Sequence, residues 1–245
     1  MGATYQTTGI VLSRTNFGEA DRIIRFITPE HGKISAVAKG IRRVKSKSGG
    51  HLEPFGEVAL MLATGRNLDV VTSARLVWYP HELTANYERL GLAFIIASLV
   101  DRFAQPGEPQ PELYAHTRMA LGAVEAGESG PLVELWFKLR LLAISGLQPS
   151  LDQCLVCGRS DADSRYWFEA ERGGLTCDDD RGAVASPMSQ PAIKLWRLLF
   201  NYPYATIARI GGASEMAASS LADCDDFYDA HGGHSVRSGT LGATL

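Results

Sequence analysis

Residues 21–39, DRIIRFITPEHGKISAVAK, read as two strands joined by a tight turn. Asp21 to Thr28 mixes charged and apolar positions. The run Pro29-Glu30-His31-Gly32 then stops the first strand, and Lys33 to Lys39 alternates again. In that second strand Ile34, Ala36 and Ala38 fall on one face, while Lys33, Ser35, Val37 and Lys39 fall on the other. Working outward, Thr7 to Ser13 (TTGIVLS) is rich in β-formers. Phe55 to Ala63 and Leu68 to Ala74 are two further strand-like runs around the turn-like tetrad Thr64-Gly65-Arg66-Asn67. Five short strands within eighty residues describe a small barrel, of which the OB type is the five-stranded member, although strand count alone leaves an SH3-like barrel open.

The texture changes at Tyr79-Pro80. Asn86 to Phe103 is apolar over most of a helical surface, so it is expected to be buried. A second helix is expected over about residues 112–124, with a stripe of Leu113, Met119, Ala120 and Leu121. A third runs from Leu132 to Ile144, ended by Ser145-Gly146. Another follows Pro191, and Ser214 to Tyr228 reads as a last one. The expected class is therefore α+β: residues 1–80 an OB barrel, 81–149 with 185–235 a helical domain, 150–184 a cysteine-bearing insert, and 236–245 a flexible tail.

Charge is unevenly placed. The 245-residue chain carries a net −3, but its first eighty residues hold 11 Lys and Arg against 6 Asp and Glu. The cations concentrate in GKISAVAKGIRRVKSKS, residues 32–48, which has no acidic residue. A basic strand that runs into a Gly- and Ser-containing basic loop suits a phosphate backbone, since each neutralised phosphate releases counterions; the alternative is a merely solvated face. No apolar run is long enough to span a membrane, and the start lacks a signal-peptide pattern, so a cytoplasmic protein is expected. Enzyme signatures such as a P-loop, G-x-S-x-G and H-E-x-x-H do not occur.

The insert carries Cys154-x-x-Cys157-Gly158 and, twenty residues beyond Cys157, Cys177, close to zinc-ribbon spacing. Where a complete pattern would place Cys or His, the chain has Asp180, which is itself a permitted zinc ligand. One reading is a structural zinc held by Cys154, Cys157, Cys177 and Asp180. Another is a lobe that has lost its metal and folds without it. A redox C-x-x-C lacks the βαβ surroundings of the thioredoxin type.

GIVLSRTNFGEADRIIRFITPEHGKISAVAKGIRRVKS, residues 9–46, resembles the amino-terminal segment of the RecO recombination mediators. Gly9, Gly18-Glu19 with Asp21, Glu30-x-Gly32-Lys33, Lys39-Gly40 and Arg42-Arg43 carry the likeness. Leu52-x-Pro54-Phe55 and FKLRLLAISGLQPSLDQCLVCG (137–158) extend it, in the same order, across roughly residues 5–205. The resemblance implies an OB domain, a helical domain and an often zinc-bearing insert. It also implies a non-enzymatic protein that binds single- and double-stranded DNA, anneals complementary strands, and with RecR helps RecA replace single-strand binding protein, whose tail it contacts. Carried over by position, Lys33, Lys39, Arg42, Arg43, Lys45 and Lys47 are the implied DNA contacts, with Arg14, Arg22 and Arg25 second in rank. Zinc-binding relatives have a cysteine where this chain has Asp180. A protein-interaction scaffold and a DNA-processing enzyme using the same basic groove are the alternatives.

Overall fold

A computed structural model of the chain describes residues 3–43, 49–161 and 164–232. They form two compact units, one reaching Gly127 and the other starting at Glu128.

The first unit opens with strands β1 (Thr4–Phe17), β2 (Asp21–Thr28), β3 (Gly32–Ala38), β4 (Glu57–Ala63) and β5 (Asp69–Trp78). They close into a barrel in the order β1-β2-β3-β5-β4, with β4 returning to β1. All neighbours are antiparallel except β3 and β5, which meet in parallel at Ala36–Asp69 and Val37–Val70. This order makes the barrel an OB fold and removes the alternative that strand count left open. β1 is twice the length its apolar run suggested, because its polar first half pairs with β4 and its polar last part with β2, on either side of a register shift at Val11–Ser13. Ladder hydrogen bonds extend a strand where apolar residues do not mark it.

Ile34, Ala36 and Ala38 enter the barrel core beside Val11, Ile24, Phe26, Leu52, Val58, Leu60 and Leu62. The opposite face of β3 is less open than alternation predicts, since Val37 is only 8% exposed. Lys39 lies in the turn after β3 and not within the strand. β4 starts at Glu57 and not at Phe55, because Phe55 has φ of 71°. A left-handed conformation costs a non-glycine residue roughly 1–2 kcal/mol. Burial of the Phe55 ring edge-on against Phe94, and the hydrogen bond from Phe55 N–H to the Val11 carbonyl at 2.8 Å, offset it.

Helices α1 (Tyr87–Phe103) and α2 (Pro111–Glu125) complete this unit. Asn86 caps α1, its Oδ1 accepting from the N–H groups of Glu88 and Arg89. In α2 the buried stripe is Leu113, His116, Thr117, Ala120, Leu121 and Val124, and Met119 points to solvent. Tyr114 and Arg118 of α2 both donate to Glu57 of β4, and the Arg118 guanidinium also lies 3.5 Å from the centre of the Trp78 ring. The loop between the helices grips the β2–β3 turn. Lys33 N–H donates to Gln105 O at 3.0 Å, Gly107 N–H to His31 O at 3.0 Å, and Gln110 N–H to Pro29 O at 2.9 Å.

The second unit contains α3 (Pro131–Ile144), strands β6 (Tyr166–Glu169), β7 (Gly174–Cys177) and β8 (Ser186–Met188), and helices α4 (Gln190–Asn201), α5 (Tyr204–Ile207) and α6 (Ala213–His231). The strands form an antiparallel sheet in the order β7-β6-β8. Phe168 of β6 packs edge-on against Trp196 of α4, and Trp196 Nε1 donates to Ser220 Oγ of α6 at 2.9 Å. Helices α3 and α6 are joined by the fully buried Lys138, whose ammonium reaches Glu134 at 2.6 Å and Asp225 at 2.7 Å. Among the described residues no helix is long and apolar enough to cross a membrane.

Burial opposes the Lys138 charge, but Glu134 and Asp225 outweigh it and raise the pKa above 10.5. A raised pKa keeps the group's stabilisation intact below the unfolded value, so it is lost only at strongly alkaline pH. Lys138→Met leaves two facing carboxylates without their cation. It is expected to cost about 3–5 kcal/mol at pH 7 in urea unfolding.

Candidate functional site

Two constellations come from the predicted site residues. The first lies at one end of the barrel. Lys39, Arg42 and Arg43 are exposed in the turn that follows β3. Gly40 N–H donates to the Asp21 carboxylate at 2.7 Å, and Arg42 N–H donates to the Ala20 carbonyl at 3.0 Å, which fixes this turn against the β1–β2 hairpin. The Arg42 guanidinium itself reaches over that hairpin to the Gly18 carbonyl at 3.4 Å. Arg22 donates to Asn16 Oδ1 across the β1–β2 pair. These four cations therefore cluster around one hairpin tip. Lys45 and Lys47 lie outside the described residues.

The remaining cations are engaged. Lys33 donates to the Asp101 backbone carbonyl near the end of α1 and lies 3.9 Å from its carboxylate; Arg25 pairs with the same carboxylate at 2.8 Å and with Ser13 Oγ at 2.9 Å. A cation at a helix carboxyl terminus stabilises the unpaired carbonyls and the dipole there. Arg14 pairs with Glu53 at 2.6 Å. Pattern reading grouped Lys33 with Lys39 because they share a strand periodicity. It had no means of seeing that α1 returns to lay Asp101 on Lys33.

The second constellation is the cysteine cluster. The ligating atoms of Cys154, Cys157, Cys177 and Asp180 all lie within 4.8 Å of one another, so the group could hold a metal ion. Cys157 and Cys177 sulfurs are 3.7 Å apart, and Asp180 Oδ2 lies 3.3 Å from Cys154 Sγ and 3.1 Å from Cys177 Sγ. Zn–S and Zn–O bond lengths in a tetrahedron require edges of about 3.8 Å between sulfurs and about 3.5 Å between sulfur and oxygen. The donor set fits that frame with small adjustments. The knuckle supplies amide donors to sulfur as well: Val156 and Cys177 N–H approach Cys154 Sγ at 3.5 and 3.4 Å. Burial pushes the Cys154 thiol up, but amide donors from Cys157, Val156 and Cys177 bring it below its ordinary value. Donation to Asp180 pushes the Cys157 thiol up to about 12, and the thiols' donation in turn lowers Asp180. A bound cation would take the place of those shared protons.

Sequence reading missed the sheet and the acid behind this cluster. Glu169, 4% exposed, accepts from Thr176 Oγ1 at 2.7 Å, Gly182 N–H at 2.9 Å and Arg172 Nη1 at 3.3 Å. A Cβ at Gly182 would stand 2.8 Å from Glu169 Oε2, so glycine is what lets the loop after Asp180 close down on the carboxylate. The signal was present in YWFEAERGGLTC, two β-rich runs around a Gly-Gly turn.

Comparison with known proteins covers both units. The family model "Recombination protein O N terminal" matches residues 1–79, and "Recombination protein O C terminal" matches residues 84–240. A protein of Bifidobacterium adolescentis named DNA repair protein RecO is 39% identical over 77% of this chain and 78% of its own length. Proteins of the same name from Roseiflexus sp. and Rubrobacter xylanophilus are 33% and 35% identical over 93% and 90% of this chain, and over 79% and 84% of their own lengths. With both family models matched in order and relatives this similar over most of their length, the chain belongs to the Recombination protein O (RecO) family.

Proposed function

We propose that this chain acts in DNA repair as a non-enzymatic mediator of recombination. It binds single- and double-stranded DNA and anneals complementary strands. With RecR it helps to load RecA onto strands coated by single-strand binding protein, whose tail it contacts, and it works in the cytoplasm at the nucleoid. The observation that carries this reading is the cluster of exposed Lys39, Arg42 and Arg43 with half-buried Arg22 around the β1–β2 hairpin of an OB barrel. The strand face and loops of such barrels are the usual seat of nucleic acid strands. Contacts from point charges to phosphates yield affinity that is tolerant of sequence and sensitive to salt, as annealing of arbitrary strands requires. Lys45 and Lys47 extend the same run, and Arg14 is a secondary contact. Lys33 and Arg25 serve in this reading mainly to dock α1 through Asp101, because their charges are already engaged there.

Two features favour binding over catalysis. Asp21, the carboxylate nearest the cluster in sequence and pairing, is taken up by the Gly40 amide. Among the described residues the side chains placed to ligate a metal are those of the cysteine cluster, where four protein donors leave no open position for a reacting group. There we read a structural zinc held by Cys154, Cys157, Cys177 and Asp180, which stabilises the β6–β8 lobe.

Titrating a fluorescent oligonucleotide at several salt concentrations tests the binding surface. Lys39→Ala with Arg42→Ala should weaken single-strand binding and reduce the log–log salt slope by about 1.4, roughly 0.7 per lost contact. Unchanged affinity and slope would remove the surface from consideration. For the metal, about one zinc per chain is expected in elemental analysis of the wild-type protein. Cys177→Ser should abolish it and Asp180→Cys should retain it. A metal-free wild-type protein whose unfolding is indifferent to chelator would exclude the zinc reading.

A further inference from the structure

The hairpin at the centre of the basic cluster carries Phe17, whose side chain is 49% exposed although it is one of the chain's large aromatics. Strand register shows which face it occupies. Arg25 Nε bonds Ser13 Oγ, which puts Ser13 and Arg25 on the same side of the β1–β2 pair with Ser35 of β3 beside them. Two residues along, Thr15, Ile23 and Val37 form the next rank on that side, and Phe17 with Asp21 forms the last. Asn16 and Arg22 pair on the opposite side. Phe17 thus ends a row whose β2 and β3 members, Ile23 and Val37, are half-buried and buried. Lys39 follows β3 at the same end, and the Arg42 side chain reaches to Gly18, next in sequence to Phe17.

An aromatic ring left half in water at the tip of a hairpin forgoes about half of the free energy that full burial would give it. With Lys39 and Arg42 at the same end of the strands, it has the composition of a single-strand site: charges that track phosphates beside an apolar face on which a base can lie. Glu19 and Asp21 place two carboxylates at the same turn, of which Asp21 accepts from the Gly40 N–H, against the cations of Lys39, Arg42 and Arg43. We propose that Phe17 is the base-stacking platform of this surface, so that a single strand lies with its phosphates on Lys39, Arg42 and Arg43 and one unpaired base on the Phe17 ring. This inference rests on the reading of the barrel end as a nucleic-acid surface and adds to it a preference for unpaired bases. A base within a duplex presents no free face to such a ring, so stacking contributes only to single-strand binding.

The test measures the affinity of the full chain for a fluorescent thymidine oligonucleotide and for an abasic oligomer of the same length. Phe17→Ala should weaken binding to the thymidine strand about tenfold, within the range known for base–aromatic stacking. Phe17→Trp and Phe17→Tyr should restore it, and Phe17→Leu, apolar but without a π face, should not. On the abasic strand wild type and Phe17→Ala should bind alike, so that the losses from removing the ring and from removing the bases do not add. Equal weakening on both strands, or on duplex and single strand, would show that Phe17 only holds the hairpin and would overturn the proposal. Wild type and Phe17→Ala binding the thymidine strand equally would also overturn it. The salt-dependent charge contacts would then still stand. Absence of binding by the wild type would overturn both readings.

Discussion

At Gly32 the β2–β3 turn passes so close to the loop between α1 and α2 that a Cβ would stand 2.3 Å from the Gln105 carbonyl oxygen and 2.4 Å from that of Glu108. Its φ of 59° is a second reason for glycine. Three backbone hydrogen bonds, from Lys33, Gly107 and Gln110, then hold turn and loop together. Much of the first unit follows from this contact. It fixes where α1 ends, and the end of α1 carries Asp101 onto Lys33 and Arg25. It also anchors one end of β3, whose other end delivers Lys39, Arg42 and Arg43 to the β1–β2 hairpin.

The cations read as candidate contacts fall into two sets. Lys33, Arg25 and Arg14 have carboxylate partners within the unit, so a phosphate would have to compete with a carboxylate already in place. Arg22, Lys39, Arg42 and Arg43 have amide, carbonyl or solvent surroundings that leave their charge to attract an anion. Charge composition alone predicts one basic stretch; packing within it pairs Lys33 with Asp101 and leaves Lys39, Arg42 and Arg43 exposed. The salt dependence of binding should therefore report fewer contacts than the number of basic residues in the stretch.

Much of this was legible in the chain. β2 runs from Asp21 to Thr28 as read, because alternation and the Pro29–Gly32 stop mark both ends. Helices α1, α2, α3, α4 and α6 lie within a few residues of the runs read for them, as at Asn86, while the short α5 (Tyr204–Ile207) was not read. The cysteine spacing and Asp180 named the four residues whose ligating atoms the fold brings together, a group that could hold a metal ion. What stayed hidden depends on long-range partners. The full length of β1 comes from two different neighbours, Phe55 leaves the strand through a left-handed φ, and Lys33 is taken by a residue 68 positions away. Glu169 behind the cysteine cluster was invisible because a buried acid is recognised only by the donors that surround it.

In the second unit, Lys138 between Glu134 and Asp225 and Glu169 beneath Gly182 are buried charges, each satisfied by specific partners. Such groups hold geometry more than they add stability. The proposed function is to hold strands on a barrel end without turnover, and strand annealing tests this most directly. Complementary oligonucleotides mixed with the protein, without added magnesium or nucleotide, should anneal faster than alone and be recovered at full length. Lys39→Ala with Arg42→Ala should lose most of that acceleration. Cleaved strands, or annealing that appears only with ATP, would contradict the account.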